Sequence, residues 1–178
     1  QLHGLKIGTI RDLIAYRLLH DHNVEKITEA KFESRWGDDW IAVTYRNKAV
    51  ASETLALVKG RLDPDKPAMV RMHSLDLLSD VLGGTGPRER TLERAMAAIA
   101  QNGQGVVVLL SGRASLSHAV RALAGEKVAE MNELRDYGLG AQILAELGIH
   151  EMILLTNSHH TLVGLDGYGL NIVEERTF

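Results

Sequence analysis

The chain of 178 residues contains no cysteine. Disulfides and thiolate metal sites are therefore excluded, and nothing speaks against a reducing compartment. Long hydrophobic runs are missing too: the longest purely aliphatic stretch is VVVLL at 106–110, far short of a membrane span, and no signal-like segment precedes it. Neither sign of charge dominates. Lys and Arg number 20 against 23 Asp and Glu, a net charge of -3, which leaves no case for a general nucleic-acid or membrane surface. Internal repeats and low-complexity tracts are also absent. What remains, 45% hydrophobic and 24% charged, suffices for one globular domain with a short appendage. A cytoplasmic protein is expected.

Thr9 and Asp12 mark a helix start, and Ile10, Leu13, Ile14, Tyr16 and Leu18 keep an apolar stripe that suits a partner-facing helix. From Glu25 to Arg71 the pattern switches to strands. Ile41, Val43 and Tyr45 alternate with Ala42, Thr44 and Arg46, and TLALVKG and AMVRMH follow. After Arg88 the period lengthens: Leu92, Ala95, Met96 and Ile99 share one helix face, ahead of the VVVLL strand and a helix around Leu116 to Ala124. A strand, helix, strand unit spans Met152 to Val173. The expected fold class is α+β (mixed α/β), with a strand-rich first half followed by alternating helices and strands.

Five blocks stand in one order along the chain: VRMHS at 70–74, SGR at 111–113, LRDYGLGAQIL at 134–144, LLTN at 154–157 and GLNIVEE at 169–175. Together they resemble the signature of GTP cyclohydrolase II, the zinc enzyme that opens the riboflavin pathway, over about Ala30 to Phe178. Upstream, HGLKIGTIRDLIAYRL (3–18) is similar to the tail of 3,4-dihydroxy-2-butanone-4-phosphate synthase and its linker in two-domain proteins. The resemblance implies a linker and synthase tail at 1–29, a GTP cyclohydrolase II-like domain at 30–178, an upstream synthase domain as partner, and a homodimer. With Gln1 in place of an initiator Met, an excised C-terminal domain is expected.

That family holds its zinc with three cysteines spaced C-x10-C-x-C, the first delivered by a strand ending in His-Ser-Glu-Cys. The matching stretch here is HSLDLLSDVLGGTGPRERTLE, with Asp76 at the first cysteine position. Counting forward puts Pro87 and Glu89 at the other two; counting back from the helix at Leu92 puts Gly86 and Arg88 there. Neither register supplies a thiolate, so no zinc and no other cofactor is expected. His73, Asp76 and Asp80 form the one alternative oxygen and nitrogen set worth weighing, although His73 equally suits a hydrogen-bonded strand end, and GGTGPRER reads as a flexible, solvated loop. Neighbouring His159 and His160 diverge at a helix start and read as solvated.

The resemblance implies ligand contacts at Arg71, His73, Ser74, Gly112, Arg113 and Thr156. Guanidinium forks and hydroxyls in that set suit a phosphate or carboxylate, so an anionic nucleotide or sugar phosphate is the implied ligand. Leu75 and Ser111 replace two family glutamates and Thr161 a lysine, which weakens purine recognition. Read by their neighbours alone, Arg71 between Val70 and Met72 suits the solvent side of a strand, Gly112 and Arg113 a turn, and Thr156 a helix cap. Glu133 and Arg135 stand at the family's catalytic acid/base positions, with glutamate one methylene longer than the family's aspartate. The family's tyrosine is replaced by Leu123 or Ala124, and the connection from Arg113 to Glu133 is short. Asp136, Tyr137, Gly138 and Gly140 suit tight packing between helix and sheet. The expected function is a non-hydrolytic regulatory, ligand-sensing or assembly domain; an enzyme using unorthodox chemistry and a structural dimerisation module are the alternatives.

Overall fold

VVVLL, the longest aliphatic run, becomes the centre of the sheet. A computed structural model describes residues 24–48, 52–110, 116–126, 133–157 and 165–178. Within them, β5 (Gly105–Leu110) is buried along its whole length. A strand covered on both faces reads as a continuous apolar run rather than an alternation, and β5 does so for that reason. Val106, Val108 and Leu110 enter one hydrophobic cluster, while Val107 and Leu109 enter the other.

The other described strands are β1 (Val24–Ser34), β2 (Asp38–Asn47), β3 (Ser52–Lys59), β4 (Ala68–Ser74), β6 (Glu151–Leu155) and β7 (Asn171–Arg176). They lie in one sheet in the order β1, β2, β3, β5, β4, β6, β7. The meander β1 to β3 is antiparallel and joins β5 antiparallel, whereas β5, β4, β6 and β7 run parallel. The expected mixed α/β class is correct. Helix α1 (Thr91–Asn102) covers one face through Leu92, Ala95, Met96 and Ile99. The opposite face receives Ala141, Ile143 and Leu144 of α3 (Glu133–Glu146); α2 (Leu116–Leu123) lies between β5 and α3 in sequence.

Sequence patterning anticipates β2, β3, β4, β5, α1 and α2, but it understates β1. That strand is solvent-exposed along almost its whole length, so its polar sequence carries no period-two signal. Its pairing with β2 starts at Val24 and runs across the domain boundary expected at residue 30. The linker helix expected over Ile10 to Leu18 lies outside the described residues. So does most of the helix expected between β6 and β7, where a short helical turn, Leu165–Tyr168, is described.

Two close approaches explain glycines of the α3 motif. A Cβ at Gly140 would lie 3.1 Å from the sulfur of Met72, and one at Gly138 would lie 3.1 Å from the Tyr168 hydroxyl. The tight packing expected there is present. A third approach sits in the β1–β2 turn, where Gly37 has φ 105 and presses on α1. The Lys59 ammonium holds this turn by donating to the carbonyls of Gly37 at 2.6 Å and Asp39 at 2.8 Å.

A Cβ at Gly37 would meet that of Ala100 at 2.3 Å, so Gly37→Ala combines overpacking with a strained backbone. We expect it to cost about 2–4 kcal/mol of folding free energy in urea titrations. Gly83 has φ 70 with open space around it, so Gly83→Ala should cost only about 1 kcal/mol.

Candidate functional site

Parallel strands aim their carboxyl ends at one edge of a sheet, where open α/β sheets form ligand crevices. Here β4, β5 and β6 end together: His73 pairs with Leu109, Ser74 with Leu110, and Val70 with Leu154. That register brings Arg71, His73 and Ser74 to the same edge as Thr156, which follows the last residue of β6. Helix α3 leads through Ile149 into the start of β6, so its first turn, with Glu133 and Arg135, stands toward this edge by backbone placement. Gly112 and Arg113 fall just beyond β5 and outside the described residues.

Arg71 is half-buried, in contrast to the solvent-facing reading that its neighbours suggest. Its Nη1 donates to the carbonyl of Leu155 at 2.9 Å, and the Phe178 ring centroid lies 5.2 Å from its guanidinium carbon. Phe178 is held there by its backbone N–H, which donates to Oδ1 of Asn157 at 3.2 Å. The Arg71 Nε is buried and has no hydrogen-bond partner among the described residues. Burial first, and the neighbouring charge of Arg88 second among the lowering effects, hold this guanidinium below its usual range. An orphaned donor on a desolvated cation favours an incoming anion.

His73 is buried and hydrogen-bonded at the end of β4. Its side chain is 0% exposed, and Nε2 lies 2.8 Å from Oδ2 of Asp80. The same carboxylate oxygen accepts the Asp76 backbone N–H at 2.8 Å. Ser74 is exposed, and its carbonyl accepts a hydrogen bond from Nη2 of Arg88. The Thr156 backbone N–H donates to the carbonyl of Arg176 at 3.0 Å, extending the β6–β7 ladder by one residue; whether it also caps a helix falls outside the described residues. Leu75 is 42% exposed beside Ser74, an apolar surface at a position where the resemblance implies a carboxylate.

Asp76, at the first thiolate position, is an N-cap. Its Oδ1 accepts the N–H groups of Leu78 at 2.9 Å and Ser79 at 3.0 Å, opening a single wide helical turn, Leu77–Val81. Gly84 closes the turn by donating from its N–H to the carbonyl of Leu78 at 2.8 Å, an approach that a Cβ at 2.9 Å from the same oxygen would obstruct. The stretch GGTGPRER is solvent-exposed, as expected, and is tied down further by Glu89 N–H to Gly86 and by Thr91 to Arg88. Among the described residues no group of three or more His, Asp or Glu side chains is placed to hold a metal. His73 makes a hydrogen bond of the strand-end kind, with Asp80 as its partner; the sequence signal for that partner and for the Asp76 cap is a pair of aspartates four apart after a strand, on one helical turn.

The sheet order, the crossing helices and the arginine-bearing carboxyl edge define an α/β domain of the cyclohydrolase type. A GTP cyclohydrolase II family model matches residues 25–177, and the chain belongs to that family. It is 39% identical over 188 residues to the riboflavin biosynthesis protein RibBA of Aquifex aeolicus, covering 97% of this chain and 46% of that one. RibBA of Mycobacterium marinum is 39% identical over 196 residues, with 97% and 45% covered. The chain thus spans about half the length of these relatives. Among solved structures it resembles RibBX of A. baumannii, a two-domain 3,4-dihydroxy-2-butanone 4-phosphate synthase, with a TM-score of 0.66, 27% identity, and 98% of this chain and 46% of that one covered.

Burial raises the proton affinity of Asp80, but the hydrogen bonds from His73 and the Asp76 amide, with the nearby charges, outweigh it and hold the carboxyl below its usual range. A depressed folded-state value means stability that is present above the unfolded pKa of about 4 and is lost as pH falls through the folded value. Asp80→Asn should therefore cost about 1–3 kcal/mol at neutral pH and flatten the decline of stability below about pH 4. Urea unfolding at pH 6 and pH 3 measures both effects; a variant as acid-sensitive as the parent would remove Asp80 from this role.

Proposed function

We propose that this domain is a non-hydrolytic GTP cyclohydrolase II homologue that binds an anionic nucleotide or sugar phosphate. In a longer protein it is joined to a 3,4-dihydroxy-2-butanone 4-phosphate synthase and serves riboflavin biosynthesis in the cytoplasm as a regulatory, ligand-sensing or assembly domain. The observation that carries this reading is the N-cap at Asp76. A carboxylate oxygen already accepting two backbone N–H groups is committed to folding the turn where the family's metal ligands begin. The chain has no thiolate to offer at the other two positions, whichever register is used. The residues present do not fit the family's zinc.

The other half of the reading is retention of the anion edge. Arg71 keeps a buried, unpartnered Nε at the carboxyl end of β4, while Glu133 and Arg135 stay in the first turn of α3. Arg71, His73, Ser74, Gly112, Arg113 and Thr156 are the proposed ligand contacts. Fusion to a synthase is supported by the length of the relatives and by the two-domain synthase from A. baumannii, about half of which this chain matches. Among the described residues no helix is long and apolar enough to cross a membrane. We further propose that the domain forms a homodimer.

Metal analysis of the chain purified without a metal-binding tag should find no stoichiometric zinc; one zinc per chain that resists dialysis would contradict the reading. In the longer protein, removing everything from Lys31 onward should change synthase activity, oligomeric mass or the response to pathway metabolites. If all three were unchanged, a regulatory or assembly role would be untenable and a remnant fold would be the better description.

A further inference from the structure

Arg88 is a cation that the inherited ligand pattern does not account for. It belongs to the segment replacing the metal-binding loop, and in one register it occupies the third thiolate position itself. Its guanidinium reaches back across that loop, and Nη2 donates to the carbonyl of Ser74 at the carboxyl end of β4. The Arg88 carbonyl in turn accepts both the backbone N–H of Thr91, at 3.2 Å, and its hydroxyl, at 2.8 Å, where α1 begins. The arginine is exposed, yet its backbone is fixed at the helix start and one guanidinium nitrogen at the strand end.

Two like charges therefore face the same edge. Arg71 and Arg88 are close enough for the charge of one to lower the proton affinity of the other. Neither forms an ion pair among the described residues. Asp80, on which the Arg88 charge also acts, is turned inward to His73 and the Asp76 amide. Repulsion between the guanidiniums is a cost that an anion between them would offset, beside the attraction that both already feel from Asp80. A carboxylate brings one charge. A phosphate monoester brings nearly two, with three acceptor oxygens able to meet forks arriving from two directions.

We propose that Arg88 is a ligand-contact residue that, together with Arg71, clamps the phosphate of a small phosphate monoester at the edge where the family's metal loop would lie. The clamp recognises the phosphate rather than a base, since the neighbouring Leu75 presents an apolar surface with no acceptor for a purine edge. Purine and non-purine phosphate monoesters consequently bind with similar strength. This inference rests on the anion-binding reading above and adds to it a residue and a ligand class.

Calorimetric titration at fixed ionic strength tests it, with ribose 5-phosphate, GMP and unphosphorylated ribose as probes. The parent chain should bind the two phosphates within about threefold of each other and ribose not at all. Arg88→Gln keeps a donor for the Ser74 carbonyl while removing the charge, and it should weaken both phosphates about tenfold or more with an unchanged thermal midpoint. Arg88→Lys should recover part of the loss, as a point charge without the fork. Arg61→Gln, near Lys66 and the amino end of β4, is the control for bulk charge. Parent-like binding by Arg88→Gln, or equal weakening by Arg61→Gln, would overturn the clamp while leaving the anion-binding reading intact. Absence of binding by the parent chain would overturn both.

Discussion

The contact between His73 and Asp80 organises the edge on which every proposed function depends. It joins the last buried residue of β4 to the first wide turn after it, at a point where the chain must leave the sheet and reverse. Burying a polar pair this deep is offset by its hydrogen bonds: Asp80 makes two, to the imidazole and to the Asp76 amide, while the buried Nδ1 of His73 has no partner among the described residues. Asp76 then caps the turn with its own side chain, and Gly84 closes it. Ser74, Leu75 and Arg88 are arranged about this small polar core, the Leu75 N–H donating to the carbonyl of Leu110 and the Arg88 guanidinium to that of Ser74.

A metal bound by distant side chains contributes folding energy by cross-linking them, and hydrogen-bonded closures do the same for a loop. This chain has several of them: an N-cap, a glycine turn, the Arg88 contact with Ser74 and the paired bonds into Thr91. Those between neutral groups are worth about 0.5–1.5 kcal/mol each and those to the Asp76 carboxylate and the Arg88 guanidinium somewhat more, so together they hold a short exposed segment in place. The guanidiniums of Arg71 and Arg88 bring cationic charge to this edge. Charge of that kind favours holding an anion; it does not generate a nucleophile from water as a metal does.

Much of the fold was legible in sequence because the relevant segments are one-sided or wholly buried. β2 alternates, β5 is uniformly aliphatic, and α1 repeats its apolar residues at helical spacing, so each declared itself. β1 did not, because both of its faces are largely in solvent and its place in the sheet comes from pairing with β2. The site was legible in part. Register between β4, β5 and β6 was not needed to nominate Arg71 or Thr156, since the motif blocks carried them. Strand alternation cannot distinguish a crevice from a covered face, so the burial of His73 against Asp80 of the wide turn needs the fold. Arg88 was passed over for the opposite reason: an arginine in a polar loop looks solvated until the fold brings it to the end of a distant strand.

The central claim is that this edge binds an anion without hydrolysing GTP. Phosphorus and proton NMR of the chain incubated with GTP and supplied with excess zinc measures the chemistry directly, through pyrophosphate and formate. Unchanged GTP, alongside ligand-dependent shifts of the protein's own resonances near Arg71, is the predicted result. Release of pyrophosphate and formate in equal amounts, abolished by a chelator, would contradict it and return the chain to the hydrolytic members of its family.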